Sequence, residues 1–313
     1  MLLSSSIYSA SEWLYYKEYP WVYDAKTEDW LYLQGGTDKK IYAYRASTKV
    51  WEEFSIPDDS GETFDTNDPP STLTTSLNSS TQLDMLWVEP GTFTMGSPTT
   101  EAGRSSDETQ HQVTLTQGFY LGKYEVTQSQ YEAVMNGNSY GLSASPSIFA
   151  GNTNRPVEQV SWDDIQVFLS RLNDQQSSNI PAGWEYVLPT EAQWEYACRA
   201  GTTTAFSWGD DNSSLRANFG QTSETVDVGR YSANPWGFYD MHGNVREWVA
   251  DFYDLFTNKS STNPTGPLVG SAHSTKGGSF VQSPSFSRSA VRYGVSPASR
   301  IINYGFRVGF QQQ

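Results

Sequence analysis

Three segments carry the signal that starts an α-helix, a hydroxyl residue followed three positions later by a polar side chain that can reach back to it. Thr127 precedes Gln128-Ser-Gln-Tyr-Glu-Ala-Val-Met, Ser161 precedes Trp162-Asp-Asp-Ile-Gln-Val-Phe-Leu-Ser-Arg-Leu, and Thr190 precedes Glu191-Ala-Gln-Trp-Glu-Tyr-Ala-Cys-Arg-Ala before Gly201. In the second, Ile165, Phe168, Leu169 and Leu172 share one face at helical spacing, so that helix packs. Between these segments Gly, Asn, Ser and Pro punctuate short strands such as Met85-Leu-Trp-Val, Gln112-Val-Thr-Leu and Gly305-Phe-Arg-Val. The pattern predicts an α+β class rich in loops.

Residues 13–53 repeat short aromatic alternations, Trp13-Leu-Tyr-Tyr, Trp21-Val-Tyr, Trp30-Leu-Tyr-Leu and Ile41-Tyr-Ala-Tyr, with a turn signal at Gly35-Gly36. They read as a small β-meander module over residues 1–54, either an attachment or spacer module or a packing appendage. Residues 55–82, with Asn-Asp-Pro-Pro and a Ser/Thr tract, hold few apolar anchors and read as a linker. The main domain is expected over 83–313.

Composition enters where it excludes classes. A hydrophobic content of 37% with 14% aromatic supplies a core, while a net charge of −15 repels phosphate backbones, so nucleic acid is not an expected partner. No apolar run approaches bilayer-spanning length and the N-terminus has no charged leader, so membrane insertion is not expected. The one cysteine, Cys198, excludes an internal disulfide and a Cys-cluster metal site. Near the end of a helix, and expected to have no histidine nearby, it reads as a buried thiol and not a nucleophile.

In order, Gly91-Thr-Phe-Thr-Met-Gly-Ser, Tyr124-Glu-Val-Thr-Gln, Arg155-Pro-Val-Glu-Gln-Val-Ser-Trp, Leu188-Pro-Thr-Glu-Ala-Gln-Trp-Glu, Gly243-Asn-Val-Arg-Glu-Trp, Lys276-Gly-Gly-Ser-Phe and Gly305-Phe-Arg-Val-Gly follow one another to the C-terminus. This succession resembles the formylglycine-generating-enzyme (sulfatase-modifying) family, which implies a C-type-lectin-like fold. The oxidases of that family hold copper on two cysteines shortly after the Gly-Gly-Ser motif, because soft thiolates suit Cu(I). Those positions fall here at Gln282 and Ser287, neither of which replaces a thiolate. The related iron enzymes use a histidine cluster, whereas His111, His242 and His273 are scattered. No catalytic residue and no catalytic cofactor is therefore expected.

The last forty or so residues resemble more closely the variable region of diversity-generating-retroelement variable proteins. The resemblance rests on Gly277-Gly-Ser-Phe, Ser287-Arg-Ser-Ala-Val-Arg, Pro297-Ala-Ser-Arg and Gly305-Phe-Arg-Val-Gly, and places the region at about 277–309. In those proteins adenine-directed mutagenic copying turns AAC or AAT codons into almost any codon ending in a pyrimidine. The resemblance assigns the diversified, ligand-binding positions to Val281, Gln282, Ser283, Ser285, Phe286, Val291, Tyr293, Gly294, Val295, Ser296, Ser299, Ile301, Ile302 and Asn303. Pyrimidine-ending codons never encode Lys, Glu, Gln, Met or Trp, and of these positions Gln282 alone departs. It is a fixed position, the product of an AAA or AAG codon, or a sign of a register shift. Arg288, Arg292 and Arg300 are expected to stay fixed and to tie the segment down.

Asp240-Met-His-Gly-Asn-Val-Arg-Glu resembles the family's calcium loop, which would place a structural Ca²⁺ on Asp240, Gly243, Val245 and Glu247; the alternative is a hydrogen-bonded turn without an ion. The expectation is thus a non-enzymatic protein that binds a protein or other cell-surface ligand through a retroelement-diversified C-terminal surface, in a cell-surface or extracellular setting. A formylglycine-generating-enzyme-like oxidase and a purely structural lectin-fold domain are the alternatives.

Overall fold

The computed structural model describes residues 69–213, 215–220 and 223–313, together with the backbone of six strands within residues 1–54. The chain divides into two units, Met1–Asp65 and Thr66–Gln313. In the first, β1 (Tyr8–Ala10), β2 (Trp13–Tyr15), β3 (Trp21–Asp24), β4 (Asp29–Gly35), β5 (Ile41–Arg45) and β6 (Val50–Phe54) form one sheet in chain order. Each strand pairs antiparallel with the next.

The second unit begins earlier than the expected boundary at residue 83. β7 (Thr72–Ser76) pairs antiparallel with β8 (Gln82–Val88), so residues 72–82 belong to the domain and not to a linker. The strand is legible only in context. Its Ser/Thr composition offers little apolar burial, and ladder hydrogen bonds plus the Thr75–Tyr186 hydroxyl contact at 2.7 Å hold it at the sheet edge. Residues 55–68 lie outside the described residues.

The remaining elements are β9 (Gly91–Met95), β10 (His111–Leu115), β11 (Phe119–Gly122), α1 (Gln128–Met135), α2 (Trp162–Gln176), β12 (Trp184–Val187) and α3 (Glu191–Arg199). They are followed by β13 (Arg246–Phe252), β14 (Ser261–Thr262), β15 (His273–Lys276), β16 (Tyr293–Val295), β17 (Tyr304–Phe306) and β18 (Gly309–Gln312). Their sheets are ordered β12-β18-β11-β8-β7, β16-β15-β13-β17 and β14-β10-β9. The helices start at the residues the sequence marks, and at Thr127, Ser161 and Thr190 both halves of the capping box are formed.

α3 packs Trp194, Ala197 and Cys198 into a core with Phe119, Leu121 and Val249. Charge crosses this core in pairs. Glu195 accepts from Lys276 Nζ at 2.9 Å, from Arg199 Nε at 2.9 Å and from the Gly96 amide at 2.9 Å. Burial would raise its pKa, but the two cations bring it down to about 2.

Asp251 behaves oppositely. Its Oδ2 accepts from the Glu191 amide at the first turn of α3 at 2.7 Å, and burial, then the Glu191 charge, push its carboxyl up to about 7 from 3.8. A raised carboxyl pKa means that the native state prefers the proton. That contribution is complete below about pH 4 and is lost as pH rises through about 7, a decline on the order of 4 kcal/mol. Thermal melts at successive pH values should therefore show stability falling from pH 5 to pH 8, with a shallower fall for Asp251→Asn, whose amide oxygen still accepts the Glu191 bond. Equal slopes for the two proteins would refute the assignment.

Candidate ligand-binding surface

β15 ends in a turn that only glycine permits. Gly277 and Gly278 have φ of +86° and +68°, and a Cβ on Gly278 would lie 2.1 Å from Ser287 Oγ and 2.6 Å from the Phe286 carbonyl. The turn sends residues 279–292 back over the domain, through a 3-10 turn at Pro284–Phe286, before β16 rejoins the sheet beside β15. Three arginines pin the excursion. Arg288 donates two hydrogen bonds to Glu108, both at 2.8 Å, and also reaches Glu101; Arg292 grips Glu191 with two contacts of 2.7 Å; and Arg300 holds Asp164 at the start of α2 at 2.6 and 2.7 Å. The first two pairs are buried, where two-pronged guanidinium–carboxylate geometry fixes position as well as charge.

The candidate positions separate on this frame. Val281 is 54% exposed, and Phe286 and Tyr293 are each 40% exposed. Ser283, Ser285, Gly294 and Ser296 are exposed, and Val295, Ser299, Ile301 and Ile302 are half-buried. Two candidates are corrected: Val291 is 4% exposed and Asn303 is 8% exposed, so both belong to the interior. Asn303 Nδ2 donates to Ser279 Oγ at 2.7 Å and its carbonyl accepts from the Arg246 amide at 2.8 Å, which commits it to the scaffold. Gln282 is likewise structural, since its Oε1 accepts from Arg246 Nη2 at 3.0 Å and from Ser279 Oγ at 3.1 Å. This favours a fixed position among the explanations for its departure from the codon pattern. Gly294 is exposed yet constrained, because a Cβ there would stand 2.7 Å from the Tyr253 ring.

Beside Phe286 and Tyr293 opens a cleft of about 630 Å³ whose other wall is the 103–108 loop together with Tyr253 and Leu255. Sequence reasoning missed that wall. Its one signal was a pair of acidic residues, Glu101 and Glu108, flanking a Gly/Ser loop and available to the expected arginines. Tyr253 donates to Asp107 Oδ2 at 2.7 Å. Although burial works against it, hydrogen bonds from Ser105 and Tyr253 hold the Asp107 carboxyl below its usual range, so the cleft keeps a charged carboxylate on its fixed wall. Facing it, the rings of Phe286 and Tyr293 lie 6.2 Å apart. Rings, hydroxyls and a carboxylate on opposed walls suit contact with a folded ligand surface.

Nothing in the same region fits the copper chemistry of the oxidases. Gln282 is engaged as above, and Ser287 is fully buried with no partner for its Oγ among the described residues. Cys198 does have a histidine neighbour, contrary to expectation: His242 Nε2 lies 3.5 Å from its sulfur. The pair is not an activated one. Burial pushes the thiol up to about 12 and the imidazole down to about 4, and His242 Nδ1, 2.7 Å from the Ser287 carbonyl, is its donor. His111 and His273 lie elsewhere, His111 against Phe256 and His273 stacked between Trp162 and Phe252.

The expected calcium loop is also differently arranged. Glu247 gives both oxygens to Arg307, at 2.6 and 2.7 Å, and Oε2 also takes Trp194 Nε1 at 2.7 Å. Asp240 accepts from the Gly229 amide at 2.7 Å, the Val245 amide donates to Glu125 at 3.0 Å, and Gly243 is where backbone packs, a Cβ there falling 2.4 Å from the Asn218 carbonyl. With the Glu247 carboxylate engaged by Arg307, the arrangement favours the hydrogen-bonded turn without an ion. Among the described residues no group of three or more His, Cys, Asp and Glu is placed to hold a metal ion.

Residues 71–311 match the model of the sulfatase-modifying factor enzyme 1-like domain. The chain is 27% identical over 287 residues to the formylglycine-generating enzyme of Mus musculus, covering 71% of this chain and 74% of that protein. It is 31% identical over 233 residues to chaperone protein LppX of Paenibacillus barcinonensis, covering 58% of this chain and 76% of the other. Among solved structures, Treponema denticola variable protein 1 is similar at a TM-score of 0.65 and 25% identity, over 77% of this chain and 99% of that one. PvdO from Pseudomonas aeruginosa is similar at a TM-score of 0.68 and 26% identity, over 78% and 100%.

Proposed function

The chain belongs to the sulfatase-modifying factor enzyme 1-like family, and from that premise we propose that it is a binding protein on the family's scaffold, with no oxidase activity of its own. Its recognition surface is the exposed part of residues 281–302. The observation that carries the reading is the contrast within one segment: Val281 stands exposed, and Phe286 and Tyr293 stand exposed beside a 630 Å³ cleft, while Arg288 and Arg292 are clamped to buried carboxylates. A side chain can be exchanged without loss of fold where its neighbours hold the backbone. The similarity to a variable protein at 25% identity and the codon pattern support exchange by a diversity-generating retroelement. The oxidase alternative lacks its thiolates, and the ligand is expected to be a protein or other cell-surface molecule.

A displayed library tests this while the ligand is still unidentified. Randomising Val281, Ser283, Ser285, Phe286, Tyr293, Ser296 and Ser299 should leave most members folded and protease-resistant, whereas randomising Val291 and Asn303 should unfold most. A library that collapses at the first set would overturn the reading. So would turnover of a cysteine peptide by the copper-loaded protein. In the genome, a neighbouring reverse transcriptase and a near-identical repeat differing at adenines are the expected companions.

A further inference from the structure

Among the described residues Arg246 is the exception among the buried cations. Arg199, Lys276, Arg288, Arg292 and Arg307 each lie within 4 Å of a carboxylate. Arg246 is 0% exposed, and among the described residues it meets no carboxylate. Its Nη2 donates to Gln282 Oε1 at 3.0 Å and to the Phe286 carbonyl at 3.3 Å, its Nη1 reaches the Thr275 carbonyl at 3.4 Å, and its Nε has no partner among the described residues. These acceptors are neutral. A buried cation without a counter-charge is a costly arrangement that a fold does not keep for stability.

Arg246 lies over the Tyr293 ring, whose centre is 4.7 Å from the guanidinium carbon. The same ring lines the cleft and is 40% exposed, so a side chain packed on the buried cation also faces the open surface. That side chain stands at one of the positions read above as exchangeable. The cation itself does not move with it. It is held on β13 beside β17, where Arg246 pairs with Tyr304, and by the Gln282, Ser279 and Asn303 network.

We propose that Arg246 is a built-in oxyanion anchor beneath the recognition surface, capped in this chain by Tyr293 and opened to a ligand's carboxylate or phosphate wherever position 293 carries a small side chain. The inference rests on the proposed binding function and deepens it by naming a ligand class for one branch of the repertoire. A carboxylate or phosphate arriving in place of the ring supplies the missing charge and an acceptor for the orphaned Nε–H, a charge-assisted bond stronger than the neutral ones it has. With Tyr293 in place the same cation acts on the ring face, which favours aromatic cover over open water.

The test follows the Arg246 Nε–Hε signal by NMR in nitrogen-labelled protein, assigned through its own side-chain carbons. Tyr293→Ser and the unmodified chain are titrated with sodium acetate, with inorganic phosphate and with acetamide as a neutral control. Expected is a saturating shift in Tyr293→Ser with a dissociation constant lower than in the unmodified chain by about tenfold, the gain of one charge-assisted bond. Acetamide should give none. The tighter of acetate and phosphate then identifies whether the site takes a carboxylate or a phosphate. A folded variant whose signal drifts alike with all three additives would overturn the anchor and leave the displayed surface standing. Tyr293→Thr, which keeps a strand-forming residue in β16, is the second variant. If neither variant folds, as their amide spectra would show, position 293 is not exchangeable, and the anchor falls together with the surface.

Discussion

Glu247→Gln is expected to destabilise the domain by about 3–5 kcal/mol, and to do so as fully in EDTA as in calcium. The side chain is fully buried, pairs with both prongs of the Arg307 fork and takes the Trp194 indole N–H, which lies in the core. An amide can accept one of those bonds but cannot replace the paired charge, and Arg307, 0% exposed, would keep the carbonyls of Gly122 and Tyr239 as hydrogen-bond partners, with Glu125 and Asp240 as the acids still acting on it from farther off. Against a typical stability of roughly 5–15 kcal/mol, the melting temperature should fall on the order of 10 °C. If Glu247 instead worked through calcium, the loss would vanish in EDTA, where unmodified and substituted proteins would melt together. That outcome would restore the calcium loop and remove the ion-pair reading.

Simultaneous replacement of Phe286, Tyr293 and Ile302 by Ser should abolish recognition while leaving a folded domain. Large anchors carry most interface energy, about 2 kcal/mol or more each, so the loss of Phe286 and Tyr293 alone corresponds to roughly a thousandfold in affinity. Binding can be read on the target recovered by screening the unmodified chain against arrays of extracellular protein domains and glycans. The stability cost should stay near 2 kcal/mol, about 0.5 kcal/mol of it from exposed Phe286 and the rest from the Tyr293 contact with Arg246 and from half-buried Ile302. Phe280→Ser is the internal comparison. That ring is 1% exposed and packs edge-on against Phe149, and its truncation should cost roughly 3–5 kcal/mol. A triple variant that melts as early as Phe280→Ser would show the segment to be core and sink the recognition surface.

What is legible in the sequence follows from the range of each signal. The three helix starts depend on residues three apart, and Thr127, Ser161 and Thr190 cap their helices as those residues indicate. The role of Arg288, Arg292 and Arg300 is also foreseeable, as a requirement that fixed cations tie down a varied segment, but not the identity of Glu108, Glu191 and Asp164 as their partners. Val291 escapes a correct reading because a short irregular segment has no period to separate inward from outward positions. β7 has the composition of a linker because an edge strand of Ser and Thr is held by its ladder, which composition does not reveal.

The sequence by itself determined the α+β class, the family and the absence of the thiolates an oxidase needs, since each rests on residue identity or on neighbours in the chain. Only the tertiary structure decided which candidates face outward, that His242 meets Cys198, that Glu247 is consumed by Arg307, and that Arg246 meets no counter-charge among the described residues. The pairs concerned are separated by 44 residues for Cys198 and His242, 60 for Glu247 and Arg307, and 180 for Glu108 and Arg288. Charges and hydrogen-bond donors act through space over a few ångströms, and the chain must fold before any of those residues are neighbours.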